Sequence, residues 1–509
     1  MKKYCSIFVI LIIAAFLRFH QLGQMPFGLT VDETAIAYNG YAVLTTRRDE
    51  WLNRLPISFR SFGDYKAPLA IYLNGPFTYL LGMQAWAVRL PFVLFSLLGI
   101  VFFYLLVREL FREHAEREKL ALLAALLLSF SPWHLHFSRL GFEAGIAMSL
   151  TIMAVYFFYL YRRLNKWWML LVTCLLFVST FYAYHSNKLL TPILLLFLAW
   201  QQRFFILDKW RQILAAVILA FVLLLPFMQD ALLGEGLTRM NSSTVLSQNW
   251  ALTEKISVFA KSFLSYLHPD FLLFGQADEN LRHSDGQFGV LTFAVVVLLV
   301  LLPFLLYLSR KTKAKQGNFV LAIMWLIAAI APAALSGDPQ HTVRSLSALP
   351  AFLLLAVSSL ALLMHLKPNW QKVIFALLVS FEVVSLLTYQ KHYYGVYKKT
   401  SSDAFRSGYL EAFAYLKNTN KQNIDKIVFT NDYEHAYIYA LFAFRLSPIA
   451  WQGGILNIFE FSEKIDQSDL SRQRTIVVAS QYDEMGERKP DQVILGSDGE
   501  VKFKIYHLP

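Results

Sequence analysis

Charge is scarce in this chain. Only 16% of its 509 residues are Asp, Glu, Lys or Arg, against about 25% in a typical soluble protein. Cysteine is nearly absent: Cys5 and Cys174 both lie inside apolar runs. Two such residues exclude a disulfide framework and a cysteine-based metal site. No internal repeat is evident, which argues against a transporter built from inverted halves. No small-residue cleavage site follows the apolar segment Cys5 to Leu17, whose flank is Arg18-Phe19-His20-Gln21. The segment therefore reads as a retained first helix, not a removed signal.

Apolar sequence fills the space that charge leaves. Hydrophobic residues make up 56% of the chain and aromatics 16%, and mean hydropathy is +0.44. Apolar runs of about 17–22 residues recur, each long enough to cross the hydrocarbon core of a bilayer as a helix. Helices satisfy their own backbone groups in lipid, so the fold class is an α-helical polytopic membrane protein with about eleven transmembrane helices. The net charge of +12 does not point to nucleic acid, because no basic stripe or binding motif accompanies it. Lys and Arg gather in every second short loop: Lys2-Lys3, Arg108 to Lys119, Arg162-Arg163, Arg203 to Arg211 and Arg310 to Lys315. The positive-inside rule makes those loops cytoplasmic. The N-terminus is then cytoplasmic, and two long loops, residues 20–86 and 230–287, face outward. This is the pattern of a multi-pass cell (inner or plasma) membrane protein.

Composition changes near residue 391. Lys426 to Thr430 and Thr475 to Ala479 are short β-rich runs. Val493 to Leu495 and Val501 to Ile505 flank the turn Ser497-Asp498-Gly499-Glu500 and read as a hairpin. Tyr409 to Leu416 and Glu434 to Phe444 read as helices. The expected organisation is a membrane domain over 1–390 and a small extracytoplasmic α/β domain over 391–509. That second domain has no nucleotide-binding glycine fingerprint.

The chemistry-bearing residues collect in the outer loops. Asp32 and Glu33 sit just after the first apolar run. They could cap a short helix from Thr34 to Leu44, since negative charge suits a helix N-terminus. They could equally supply a general base at a partly desolvated membrane surface, one carboxylate reacting while its neighbour orients a side chain or a metal. In Asp64-Tyr65-Lys66-Ala67-Pro68, Lys66 can place a point charge on a phosphate, and Asp64 can hold that lysine or ligate a divalent ion. A plain turn before an interfacial helix is the other reading. Arg282 can grip a phosphate in a fork of hydrogen bonds, with His268 and His283 assisting; a solvated loop is again the alternative. Arg139 and Glu143 follow His134 and His136 near the membrane surface, where unpartnered charge is costly. Tyr184, His185, His341 and Arg344 are further outer-face residues. Asp64, His268 and His283 are the candidate ligands for a divalent metal, and no other cofactor is expected.

These residues resemble a known group. The Asp-Glu pair after the first span, the loop leading to Asp64-Tyr65-Lys66-Ala67-Pro68-Leu69, the entry Ala87-Val88-Arg89-Leu90-Pro91, and Ser138-Arg139 with Glu143 look like the GT-C membrane glycosyltransferases. Their bacterial protein-mannosyltransferase-like family includes the aminoarabinose transferases that modify lipid A. The resemblance covers residues 1–390 and is strongest over 1–200. It implies a GT-C fold, a polyprenyl-phosphate-linked sugar donor and inverting transfer to a hydroxyl of a lipid, glycan or protein on the extracytoplasmic face. It implies Asp32 as the base, Glu33 as its neighbour, Lys66 on the donor phosphate, and Arg282 with His283 as the phosphate-binding residues of the second outer loop. Where the family often has Glu-Lys-Pro, this chain has Tyr65-Lys66-Ala67-Pro68. The rival class is a transporter or a flippase for lipid-linked sugars, which would carry its ionisable residues nearer the middle of the membrane.

Overall fold

A computed structural model of the chain describes residues 2–234, 244–275, 278–309, 317–364, 368–420, 423–454 and 458–509. The basic run Arg310 to Lys315 lies outside the described residues. Contacts divide the chain into two compact units. The first comprises Met1–His20, Asp64–Leu69 and Phe92–Lys391; the second comprises Gln21–Gly63, Ala70–Pro91 and His392–Pro509.

The first unit is helical. Helices make up most of its described residues. Among the described residues, five helices are long and apolar enough to cross a membrane unaided: Ala85–Leu110, Glu143–Leu164, Trp210–Leu233, Thr342–Leu363 and Asn369–Thr400. Four more apolar helices are shorter: Ser6–Phe19, Trp167–Ala183, Phe293–Ser309 and Phe319–Leu335. The helices Arg117–Phe130 and Pro132–Ser138 meet at 60° and make a sixth span if counted as one. The bend has a local cause. Pro132 has no N–H to continue the first helix, and Ser131 caps the second by accepting from His134 N at 3.4 Å. The break sets His134, His136 and Arg139 on a short, steeply angled helix end instead of along a continuous span.

The second unit is built on a five-stranded sheet. Its order is Phe459–Ser462, Lys426–Thr430, Thr475–Ser480, Val501–Leu508, Gln492–Leu495. The first three strands are parallel, with Ile427 opposite both Phe459 and Ile476. The last two close the sheet antiparallel, with Val478 opposite Ile505. Thr475–Ser480, the central strand, is buried at every position, as a strand covered on both faces must be.

The helix Val31–Thr46 belongs to this unit. Val31, Ala35, Tyr38 and Ala42 recur at helical spacing and enter one core with Phe413, Phe429, Tyr439 and Phe503. Two phenols pin the arrangement: Tyr439 donates to Leu29 O at 2.7 Å and Tyr38 to Leu446 O at 2.8 Å. On another side Gly40 meets Gly75 of the helix Pro68–Leu81. A Cβ on Gly40 would lie 2.6 Å from Ile71 O, and one on Gly75 would lie 2.5 Å from Gly40 O. Only glycine permits this backbone approach.

Candidate active site

In the second unit the chemistry gathers at the start of the helix Val31–Thr46. Thr30 is its N-cap: Thr30 Oγ1 accepts from Glu33 N at 3.1 Å, and Thr30 N donates to Glu33 Oε2 at 3.0 Å. This reciprocal capping box fixes the first turn. Glu33 is fully buried and pairs with Arg89. Arg89 Nε donates to Glu33 Oε1 at 2.8 Å and Nη2 to Oε2 at 3.3 Å. The rest of the guanidinium gathers carbonyls: Nη1 donates to Leu22 O at 3.1 Å and Pro26 O at 2.8 Å, and Nη2 to Gly28 O at 2.8 Å. All five N–H groups of the arginine are engaged. Glu33 and Arg89 together fold residues 22–28 against the helix start.

Asp32 sits in the same first turn, half-buried, and carries its own interactions. The capping box of Thr30 and Glu33 fixes the backbone that carries Asp32. Its charge reaches His435. Burial lowers the His435 pKa from the usual histidine range; Glu434 opposes that, Arg406 adds to it, and Asp32 opposes it. His435 lies some four hundred residues away in sequence, so nothing in the local pattern announces it.

A second acidic pair closes the same helix. Asp49 accepts from Trp51 N at 3.0 Å and Asn53 N at 2.7 Å. Burial raises its pKa against the pull of these bonds. The neighbouring Glu50 is fully buried; its N–H donates to Asn39 Oδ1 at 2.9 Å, and its carbonyl accepts from Gln452 Nε2 at 2.8 Å. Sequence reading gave this pair no role. Two charged residues next to Arg47-Arg48 look like a solvated loop, and only the folded packing reveals their burial.

The first unit holds the remaining candidates. Asp64 and Lys66 lie on the strand Asp64–Lys66 and are half-buried. Asp64 Oδ1 accepts from Tyr65 N at 2.8 Å. His185 Nε2 lies 2.9 Å from Tyr65 O, so it anchors the backbone that carries Lys66. Arg139 is buried and reaches the end of the first helix: Nη1 donates to Leu17 O at 2.8 Å and Arg18 O at 3.1 Å, and Nη2 to His20 O at 2.8 Å. Positive charge on the last carbonyls complements the helix dipole. Glu143 opens the helix Glu143–Leu164, where negative charge is favoured for the same reason.

Arg282 is positioned by its own backbone. Its carbonyl meets His136 Nε2 at 3.0 Å, and its Nε donates to Asn280 Oδ1 at 3.3 Å. His283 stands 3.4 Å from Asp278 Oδ2 and stacks on His341 with ring centroids 4.7 Å apart. Burial alone would raise the Asp278 pKa. The hydrogen bond and charge of His283, the charge of His341 and the Thr342 N–H outweigh it and bring the carboxyl down to about 2. The three side chains form the only cluster of potential metal ligands among the described residues. Of the ligands expected from sequence, His283 is in this cluster, Asp64 and His268 are not. His268 instead forms an exposed pair with Asp270 at 3.2 Å.

Residues 65–228 match a family model described as dolichyl-phosphate-mannose-protein mannosyltransferase. That stretch includes Lys66, Arg139, Glu143 and His185. No curated protein matches the chain. Among solved structures, apo ArnT from Cupriavidus metallidurans superposes with a TM-score of 0.55 at 11% identity, over 94% of this chain and 93% of that one. ArnT of the same organism bound to undecaprenyl phosphate superposes with a TM-score of 0.53 at 12% identity, over 93% of each chain. The chain is thus a multi-pass membrane protein of the GT-C fold, with a dolichyl-phosphate-mannose-protein mannosyltransferase match across residues 65–228.

Proposed function

We propose that the chain is an integral-membrane glycosyltransferase. It moves a sugar from a polyprenyl-phosphate donor to a hydroxyl of a lipid, glycan or protein on the extracytoplasmic face, with inversion. The observation that carries this reading is the mannosyltransferase family match over a stretch containing Lys66, on a chain that shares the ArnT fold along nearly its whole length. ArnT has been seen with undecaprenyl phosphate, the kind of lipid this reaction would release.

In the proposed reaction Asp32 accepts the acceptor hydroxyl proton as its oxygen forms a bond to the sugar C1. The bond from C1 to the donor phosphate breaks, and its electron pair leaves with the phosphate. Lys66 and Arg282, assisted by His283, stabilise the charge that develops there, as preorganised cations do for an anionic leaving group. Glu33 is bound to Thr30 and Arg89 on both its oxygens, so its part is to aim Asp32, not to exchange the proton itself. Arg139 and His185 act as supports, holding the end of the first helix and the Lys66 backbone. A divalent metal is not required by this scheme.

Mass spectrometry of membrane lipids, surface glycans and envelope proteins, with and without the gene, tests the reading. A sugar-bearing species that disappears with the gene, together with release of polyprenyl phosphate by the purified protein, is the expected result. Movement of a lipid-linked sugar across proteoliposomes with no glycosidic bond made would instead favour a flippase.

A further inference from the structure

The cluster of Asp278, His283 and His341 has no part in the transfer scheme beyond the phosphate assistance assigned to His283. One ligand-capable atom from each lies within 4.8 Å of the others. Asp278 and His283 border a cavity of about 20 Å³, lined also by Trp133, His136 and Thr342, which is room for one small occupant; His341 stacks on His283 beside it. We propose that this is a binding site for a divalent transition-metal ion of the zinc class, and that the ion clasps the second outer loop to the segment beginning at His341.

The donor set fits that chemistry. Two imidazoles and one carboxylate suit zinc, with a fourth position left open to the cavity. A supporting shell is present. Thr342 N and Oγ1 lie 3.2 and 3.0 Å from Asp278 Oδ2, and Asn280 N lies 3.3 Å from Oδ1. Bonds of this kind orient a metal-binding carboxylate. Thr342 Oγ1 also reaches His283 O at 2.9 Å, so the two chain segments are already tied at this point.

Geometry says what loading changes. Two ligand atoms about 2.0–2.2 Å from one ion are at most about 4.4 Å apart. In a tetrahedral site they are about 3.3–3.6 Å apart; Asp278 Oδ2 and His283 Nδ1 already stand at 3.4 Å. The imidazoles of His283 and His341 are stacked at 28°; to share an ion they must turn from lying alongside to converging. The segment so held contains Arg282, whose carbonyl rests on His136. The ion would therefore fix the backbone that carries Arg282. Binding itself is independent of the glycosyltransferase reading.

The test uses the full chain, stripped with a chelator, equilibrated with Zn²⁺ alone and passed through a desalting column. One zinc per chain is expected by elemental mass spectrometry. His283→Ala and His341→Ala should each weaken retention at least tenfold against a competing chelator, and His268→Gln should not. Zinc X-ray absorption of the wild type supplies the measurement that survives if a variant fails to fold. It should show two imidazole ligands at about 2.0–2.1 Å. Absence of stoichiometric zinc, full retention by both alanine variants, loss in the His268 variant, or an absorption spectrum without imidazole would each overturn the assignment.

Discussion

Replacing Arg89 by lysine keeps the positive charge and removes the fork. In the wild type, five N–H groups serve two carboxylate oxygens and three carbonyls, at 2.8 to 3.3 Å. A lysine ammonium has three donors and no planar geometry. At least two of those five buried acceptors then lose their donor. An unsatisfied buried acceptor costs about 1–3 kcal/mol, so Arg89→Lys should destabilise the segment by about 2–4 kcal/mol after partial rearrangement. Losing the charge altogether, as in Arg89→Leu, leaves Glu33 buried and unpaired, at about 3–5 kcal/mol. Hydrogen exchange read by mass spectrometry on the full chain resolves this locally. Peptides covering residues 21–46 should exchange at least about twenty-five-fold faster in Arg89→Lys, since about 1.4 kcal/mol is a factor of ten. Peptides from the helix Glu143–Leu164 serve as the internal reference and should be unchanged. A double-mutant cycle with Glu33→Gln should show a coupling of about 1 kcal/mol or more. Exchange of 21–46 within threefold of wild type would refute the assignment of Arg89 as the organiser of this turn.

Other outcomes follow from the same geometry. Gly40→Ala places a methyl group 2.6 Å from Ile71 O and 2.8 Å from Gly75 N; it should cost about 1–3 kcal/mol as overpacking, read as a lower unfolding midpoint, whereas Gly63→Ala, with open space around it, should show no clash, only the strain of its positive φ. Lys502 is buried with its ammonium 2.7 Å from both Asp403 and Asp498. For Asp498, burial raises the pKa, but the bonds from Lys502 and from Glu500 N outweigh it and leave it below the ordinary 3.8. A depressed carboxyl contributes stability that is complete above its unfolded pKa and is lost as pH falls through the folded one. Protection of the strand Val501–Leu508 should therefore be flat from pH 5 to 8 on this account and fall below about pH 4, and Lys502→Met should both lower the plateau and flatten the acid limb.

Much of the fold was legible because apolar runs and β-rich runs are local. The strand Lys426–Thr430 and the hairpin around Asp498-Gly499 appear where β-branched residues and a turn signal place them. The strand Phe459–Ser462 was missed: four residues with one Glu and one Ser, Phe-Glu-Phe-Ser, give little pattern, and parallel pairing with Lys426–Thr430 is what makes it a strand. The number of crossings is less legible. Pro192, Pro303 and Pro332 sit inside continuous helices, whereas the chain bends at Ser131-Pro132; hydropathy does not tell the two cases apart.

The site divides in the same way. The capping reading of Asp32 and Glu33 is visible from residue type, and Thr30 with Glu33 is a capping box by spacing alone. The partner is not visible: Arg89 lies fifty-six residues on, inside a helix whose apolar run hides one charge. His341 stood apart from His283 for the same reason, and only the stacked rings join them. Long-range pairing of single polar residues leaves no periodicity to read.

On our proposal Asp32 is the base of a sugar transfer from a lipid phosphate. Its most direct test compares cells carrying wild type, Asp32→Asn or no gene, with the sugar-bearing product quantified by mass spectrometry and the membrane level of each protein matched. Loss of a general base costs a factor of about 10²–10⁴, so the Asp32→Asn cells should resemble those without the gene, while hydrogen exchange of residues 21–46 stays as in the wild type. Product from Asp32→Asn within a few-fold of wild type would contradict the account and move the base elsewhere.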